Sequence, residues 1–202
     1  MSNPTAVLIG YSGHGLMCLE VATLNDYTIS GYCDQNLKEF NPLNLKFLGS
    51  ETQLEAGTNA ILGIGDNDIR FKIYKELPAL NYINIIHPSA IVAWSVKLNE
   101  GVVIAANAVL NPFAKIGTGV IINTSAIVEH ECVIGDFSHI APAAVLCGNV
   151  KVGTRSFIGA NSVIKQGVTI GDDVIVGAGS VVISDIQNRT TVVGNPARIL
   201  KK

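Results

Sequence analysis

The sequence predicts two fused parts, an α/β unit over residues 1–84 and a parallel β-helix of six-residue repeats over residues 85–202. Three observations carry this reading. Every sixth residue from Ile86 to Val182 is Ile, Leu or Val. A longer period of eighteen lies on top of it, because Ile116-Gly117, Ile134-Gly135, Val152-Gly153 and Ile170-Gly171 share one phase. Ahead of the repeat, a strand, a glycine-rich turn, a helix and a second strand ending on a carboxylate follow one another.

In the first part, Ala6 to Ile9 reads as a buried strand, Gly10 to Gly15 as a turn and Leu16 to Leu24 as a helix. Tyr27 to Cys33 reads as a second strand that stops at Asp34. This order is that of a Rossmann-like mononucleotide-binding βαβ half. Glycines at such a turn let backbone N–H groups and a helix N-terminus approach a phosphate, and a carboxylate at the end of the second strand can accept from a ribose or a base. The spacing G-x-x-G-x-G differs from the dinucleotide fingerprint, which argues against a nicotinamide-dependent oxidoreductase. Ala60 to Ile64 reads as a third strand, and Asp68 to Leu77 as a helix stopped by Pro78.

In the second part, one inward aliphatic residue per short strand and three strands per turn describe a hexapeptide β-helix. Each turn advances about 4.8 Å through strand pairing, so residues eighteen apart stack in columns. The run from Ile86 to Val182 gives between five and six coils. Such a solenoid leaves flat faces uncovered, and packing around a threefold axis is one closed way to cover them.

Composition excludes several function classes. Across 202 residues with 48% apolar content and a net charge of −2, no block of Lys and Arg forms the stripe that nucleic-acid phosphates require. No apolar run approaches the roughly 20 residues that span a bilayer, and the start lacks a leader pattern, so a cytoplasmic protein is expected. Cys18, Cys33, Cys132 and Cys147 form no C-x-x-C pair, so neither a zinc site nor a disulfide framework is expected.

The coils lose their monotony between Asn123 and His139. His130 falls two places after inward Val128, at a bend, so its ring should point outward where a neighbouring subunit could cover it. Glu131 beside it could hold one ring nitrogen as N–H and leave the other free to accept a proton, the arrangement of a general base. Glu129 is the poorer orienter, since alternate residues on an extended segment face opposite sides. Gly148 stacks one coil above His130, and its backbone N–H is a candidate oxyanion donor. His139 could reach the thioester end of an acyl donor, or simply pack near Phe157. Ala141, Gly159 and Gly177 make one column and Pro142, Ala160 and Ala178 the next, a bare stripe suited to a pantetheine arm or, alternatively, to tight coils alone. Arg198, Lys201 and Lys202 could meet the donor's phosphates.

The turn at residues 10–15, Asp34-Gln35, Gly63 to Asn67, and above all Asn123-Thr124-Ser125 through Glu129 to Gly135 and Ser138-His139 resemble the bacterial nucleotide-sugar 4-amino N-acetyltransferases, nearly end to end. The resemblance implies a left-handed β-helix, a homotrimer with active sites between subunits, and acetyl-CoA as acetyl donor. It implies His130 as general base tuned by Glu131, with His139, Ala160 and Ala178 along acetyl-CoA beside Gly148, Gly159 and Gly177. It further implies that Ser12, Gly13, His14, Asp34, Gln35 and Gly65 hold the nucleotide end of the amino sugar, a UDP-sugar by preference, and that Asn123 lies near the reacting amine. Gln35 stands where the family has a second acidic residue, and Ala178 where it has glycine. Two competing readings are O-acetylation of a sialic acid or related hydroxyl and a non-enzymatic, nucleotide-binding trimeric module.

Overall fold

The computed structural model describes residues 3–200. The chain opens with strand β1 (Thr5–Ile9), helix α1 (Gly13–Leu24), strand β2 (Thr28–Cys33), strand β3 (Asn59–Leu62), helix α2 (Asn67–Glu76) and strand β4 (Asn81–Tyr82). They form a parallel sheet in the order β2-β1-β3-β4. Helix α1 begins at Gly13, three residues ahead of the predicted Leu16, so the glycine-rich turn is confined to Gly10–Ser12. Gly10 takes a left-handed φ of 91°, and a Cβ on Gly15 would strike the Gly10 carbonyl. These two glycines therefore let the first turn of α1 press onto the end of β1.

From Ile85 the chain winds through two-residue strands that build three faces. The first face stacks Ile85–Ile86, Val103–Ile104, Ile121–Ile122, His139–Ile140, Phe157–Ile158, Ile175–Val176 and Thr191–Val193 in parallel, closed by antiparallel Arg198–Ile199. The second runs from Ile91–Val92 to Val181–Val182, and the third from Lys97–Leu98 to Thr169–Ile170. The first face has seven parallel rungs, against the five to six coils counted from the repeat, because Thr191–Val193 joins the ladder after a loop that leaves the six-residue phase. The solenoid is a left-handed β-helix of hexapeptide repeats.

Every sixth residue from Ile104 to Val182 is buried to 3% exposure or less. A second inward column, absent from the sequence reading, sits four places later in each repeat: Val102, Ala108, Ala114, Val120, Ala126 and Cys132, then Ala144 and Val150. Where this column carries serine the hydroxyl is satisfied, as when Ser138 Oγ donates to the Gly153 carbonyl at 2.6 Å.

The α/β unit covers only the lower part of the first face. Outward-pointing Ile85, Val103 and Ile121 are buried in one cluster with Ala6, Leu8 and Leu19. The next residues in that column, His139, Phe157 and Ile175, rise past its edge and pass from 7% exposed at His139 to 49% at Ile175.

Candidate active site

The residues singled out in the sequence separate into three groups. The first lies at the corner between the second and third faces. His130 Nδ1 is 3.1 Å from Glu131 Oε2, with the two side chains 50% and 63% exposed. Glu131 takes a left-handed φ of 62°, a conformation that costs a non-glycine residue energy. Gly148 is buried beneath the ring, and a Cβ placed on it would stand 2.5 Å from His130 Cε1 and Nε2. Among the described residues the Gly148 N–H donates to no protein acceptor, whereas its neighbour Asn149 donates to the His130 carbonyl at 2.8 Å.

The second group surrounds His139. Its Nε2 lies 3.0 Å from Asn123 Nδ2 and its Nδ1 lies 3.4 Å from the Gly65 carbonyl. An amide nitrogen can only donate and a carbonyl can only accept, so the ring is the neutral tautomer with its proton on Nδ1. Burial, the Arg70 charge and nearby His14 push the His139 pKa down to about 3, and burial with Arg70 pushes His14 down to about 4. The ring meets Phe157 edge-on at 5.1 Å and stands 6.1 Å from the ring of His14. His139 opens the His139–Ile140 strand of the first face. Beside it a cleft of about 320 Å³ opens between Gly65 to Asp68 and the coils at Arg155, Phe157, Asp173 and Ile175.

The third group lies at the C-terminal ends of β1 and β2. Ser12, Asp34 and Gln35 border a cleft of about 240 Å³, and Gly13 borders a second one beside it. Asp34 accepts from the Tyr11 amide at 3.0 Å and the Gln35 amide at 2.8 Å, and pairs with Lys38 Nζ at 2.9 Å. Burial alone would raise its carboxyl, but the hydrogen bond from Lys38, the two amides and the Lys38 charge together hold it below the usual carboxylate value. His14 and Gly65, assigned with this set from the sequence, turn instead toward His139. Lys38 escaped the sequence reading, although its spacing of four from Asp34 was available as a signal.

Asn123 stands at the corner joining the first and second faces, within 3.0 Å of His139 on the first face. His130 is at the corner joining the second and third. In a triangular section that corner is opposite the first face, which carries His139 and the α/β unit, so one copy does not bring Asn123 and His130 together. Of the bare stripe, Ala160 is half-buried and Ala178 exposed. Gly159 is required by stacking itself, since a Cβ there would lie 2.6 Å from the Ala178 nitrogen. A Cβ on Gly177 would lie 2.7 Å from Val193 Cγ1. Arg198 hydrogen-bonds its neighbour's carbonyl, at Ala197, and Lys201 and Lys202 lie outside the described residues.

Residues 5–77 match the PglD N-terminal domain, residues 131–166 the bacterial transferase hexapeptide and residues 149–184 the hexapeptide repeat of succinyl-transferase. Among solved structures, the chain is 33% identical to a histidine variant of GDP-perosamine N-acetyltransferase from Caulobacter crescentus in complex with CoA and GDP-perosamine. That match has a TM-score of 0.92 and covers 100% of this chain and 99% of that one. It is also 33% identical to the acetyltransferase domain of PglB from Neisseria gonorrhoeae in complex with acetyl coenzyme A, with a TM-score of 0.92 over 98% of this chain and 100% of that one. WeeI from Acinetobacter baumannii is 26% identical with a TM-score of 0.87, over 97% of this chain and 100% of that one. A PglD-type α/β unit joined to hexapeptide coils, matched end to end at this identity, places the chain in the family of nucleotide-sugar N-acetyltransferases of the hexapeptide class.

Proposed function

We propose that the protein transfers the acetyl group of acetyl-CoA to the 4-amino group of a nucleotide-linked 4-amino-4,6-dideoxy sugar, with His130 as general base. The observation that carries this reading is the exposed His130–Glu131 pair seated over Gly148, at 3.1 Å between Nδ1 and Oε2. Glu131 keeps the proton on Nδ1, so Nε2 is the lone pair that takes a proton from the attacking amine. As the C–N bond forms, the Gly148 N–H donates to the oxyanion. The C–S bond then breaks, and the departing thiolate takes the proton from His130.

Residues 1–84 act as the nucleotide-sugar unit and residues 85–202 as the transfer unit. Ser12, Gly13, Asp34 and Gln35 hold the nucleotide, with His14 and Gly65 at the sugar end. His139, Gly159, Ala160, Gly177 and Ala178 line the path of acetyl-CoA. Because His130 is at the corner opposite the α/β unit, a substrate held there meets the His130 of another copy, with Asn123 beside the amine. That separation, together with the open faces of the solenoid, supports a homotrimer with shared sites. Among the described residues no helix is long and apolar enough to cross a membrane. Acetyl-CoA and nucleotide-linked sugars are made in the cytoplasm, where this reading places the protein.

The test is an assay of CoA release with acetyl-CoA and UDP-, dTDP- and GDP-linked 4-amino sugars, and with free sialic acid as the competing hydroxyl substrate. The family resemblance favours the UDP-linked sugar; the Caulobacter relative is named for a GDP-linked one. His130→Ala should lower kcat by roughly 10²–10⁴ with the preferred sugar. A loss below tenfold, or turnover only on the hydroxyl, overturns the assignment.

A further inference from the structure

Arg70 of helix α2 is the largest fully buried side chain of the molecule among the described residues, at 1% exposure. A buried cation is costly unless paired or fully hydrogen-bonded, and among the described residues no carboxylate forms an ion pair with it. Its guanidinium is satisfied by oxygens alone. Nε donates to the Gly119 carbonyl at 3.0 Å and Nη2 to the Phe137 carbonyl at 2.8 Å, while Nη1 donates to Ile64 and Gly65 at 3.1 and 3.0 Å. Nη2 also reaches Asn67 Oδ1 at 2.9 Å.

These acceptors are not scattered. Gly119 and Phe137 are stacked corner residues of successive coils, both with left-handed backbone, φ 62° and 58°. Asn67 Nδ2 continues the contact to the next corner, donating to the Arg155 carbonyl at 3.0 Å. Ile64 and Gly65 belong to the loop after β3, and Asn67 opens α2. One guanidinium therefore ties that loop to the solenoid, and the Gly65 carbonyl it holds is the one facing His139 Nδ1.

We propose that Arg70 is a positioning residue for the transfer reaction: it locks the loop between β3 and α2 onto the coils and presents the Gly65 carbonyl to His139 Nδ1, which fixes His139 as a neutral ring with Nε2 turned to Asn123. The geometry requires arginine. Lysine would bring the charge but only three donors from one point, and could not reach carbonyls on both sides of the seam. The charge and titratable groups around His139 are Arg70, Asp66 and Asp68 on α2 and its cap, His14 and Cys18 on α1, and Arg155 with Asp173 on the coils above. Burial most of all, and then the charges of Arg70 and His14, lower the His139 pKa, so its surroundings keep the ring uncharged.

The kinetic half of the test rests on the function proposed above; the spectroscopic half does not. In the intact wild-type protein, ¹⁵N NMR of the imidazoles should show His139 neutral with the proton on Nδ1 from pH 8 down to pH 5. A charged ring or the opposite tautomer in that range overturns the proposal without any variant. Arg70→Met should release the Gly65 carbonyl, so that the ¹⁵N spectrum shows a mixture of His139 tautomers, and raise KM for the nucleotide sugar about tenfold or more. Arg70→Lys, retaining the charge, should leave His139 neutral and still raise KM for the sugar. Folding of both is checked by circular dichroism and oligomeric state. Should Arg70→Met fail to fold, Arg70→Lys and the wild-type spectrum decide. A folded variant with unchanged sugar KM, or Arg70→Met with the His139 proton still wholly on Nδ1, sinks the assignment. Absence of any acetyl transfer by the wild type would instead reject the proposed function and leave the spectroscopic result standing.

Discussion

Gly148 can be tested apart from His130. Because a Cβ on residue 148 would stand 2.5 Å from two ring atoms of His130, Gly148→Ala must displace the imidazole rather than merely crowd it. A displacement of about 1 Å can cost about 10²-fold in rate, so kcat should fall by about that factor while the melting temperature changes little. Steady-state kinetics beside a thermal melt checks both halves, and unchanged kcat would remove Gly148 from the site. His130 and Glu131 were legible in the sequence because their exposure and adjacency follow directly from the six-residue phase. Lys38 and Arg70 were not, because each acts through partners brought to it by folding: an amide-bound Asp34 in one case, and carbonyls from two separate elements in the other.

The hexapeptide turn imposes its own rule on the chain. A left-handed residue recurs every sixth position, at Gly101, Asn107, Phe113, Gly119, Ser125, Glu131, Phe137, Ala143, Asn149, Arg155, Asn161, Gly167, Asp173 and Gly179. Gly, Asn and Asp tolerate that conformation, whereas Phe113, Glu131, Phe137, Ala143 and Arg155 adopt it at a cost. Two of the costly ones have a visible use, Glu131 beside His130 and Phe137 against Phe71 and Tyr74 at the seam with α2. The bare stripe divides on similar grounds. Close coil stacking accounts for Gly159, but half-buried Ala160 faces no such constraint and is the position to obstruct. Ala160→Phe should raise KM for acetyl-CoA at least tenfold, on the order of 1.4 kcal/mol, with kcat less affected. An unchanged KM would mean that the stripe reflects coil packing only.

Taken as a whole, the molecule keeps two imidazoles neutral at the seam between its parts, and this makes its stability depend on pH. His14 and His139 are lowered to about 4 and about 3, whereas an unfolded chain protonates them near the ordinary value of 6.5. Below pH 6.5 the unfolded state therefore binds more protons, and stability falls as pH drops toward 4. Urea denaturation at pH 7 and pH 4.5 should differ by several kcal/mol, on the order expected for two such groups, and His139→Gln should flatten part of the slope. Asp34, held below its ordinary carboxylate value, adds to the same trend at lower pH. The period of six fixed the coils and their stacking, because one inward aliphatic residue per short strand leaves a single way to close a core. It fixed likewise the outward corner of His130 and the columns of small residues. Where the α/β unit sits on the solenoid could not be read, since the column Ile85, Val103 and Ile121 meets Leu8 and Leu19, which lie outside the repeat and share no period with it. The same docking chose the partners of His139 and buried Arg70. Contacts between elements distant in the chain arise from shape and burial in three dimensions, and neither leaves a spacing in one.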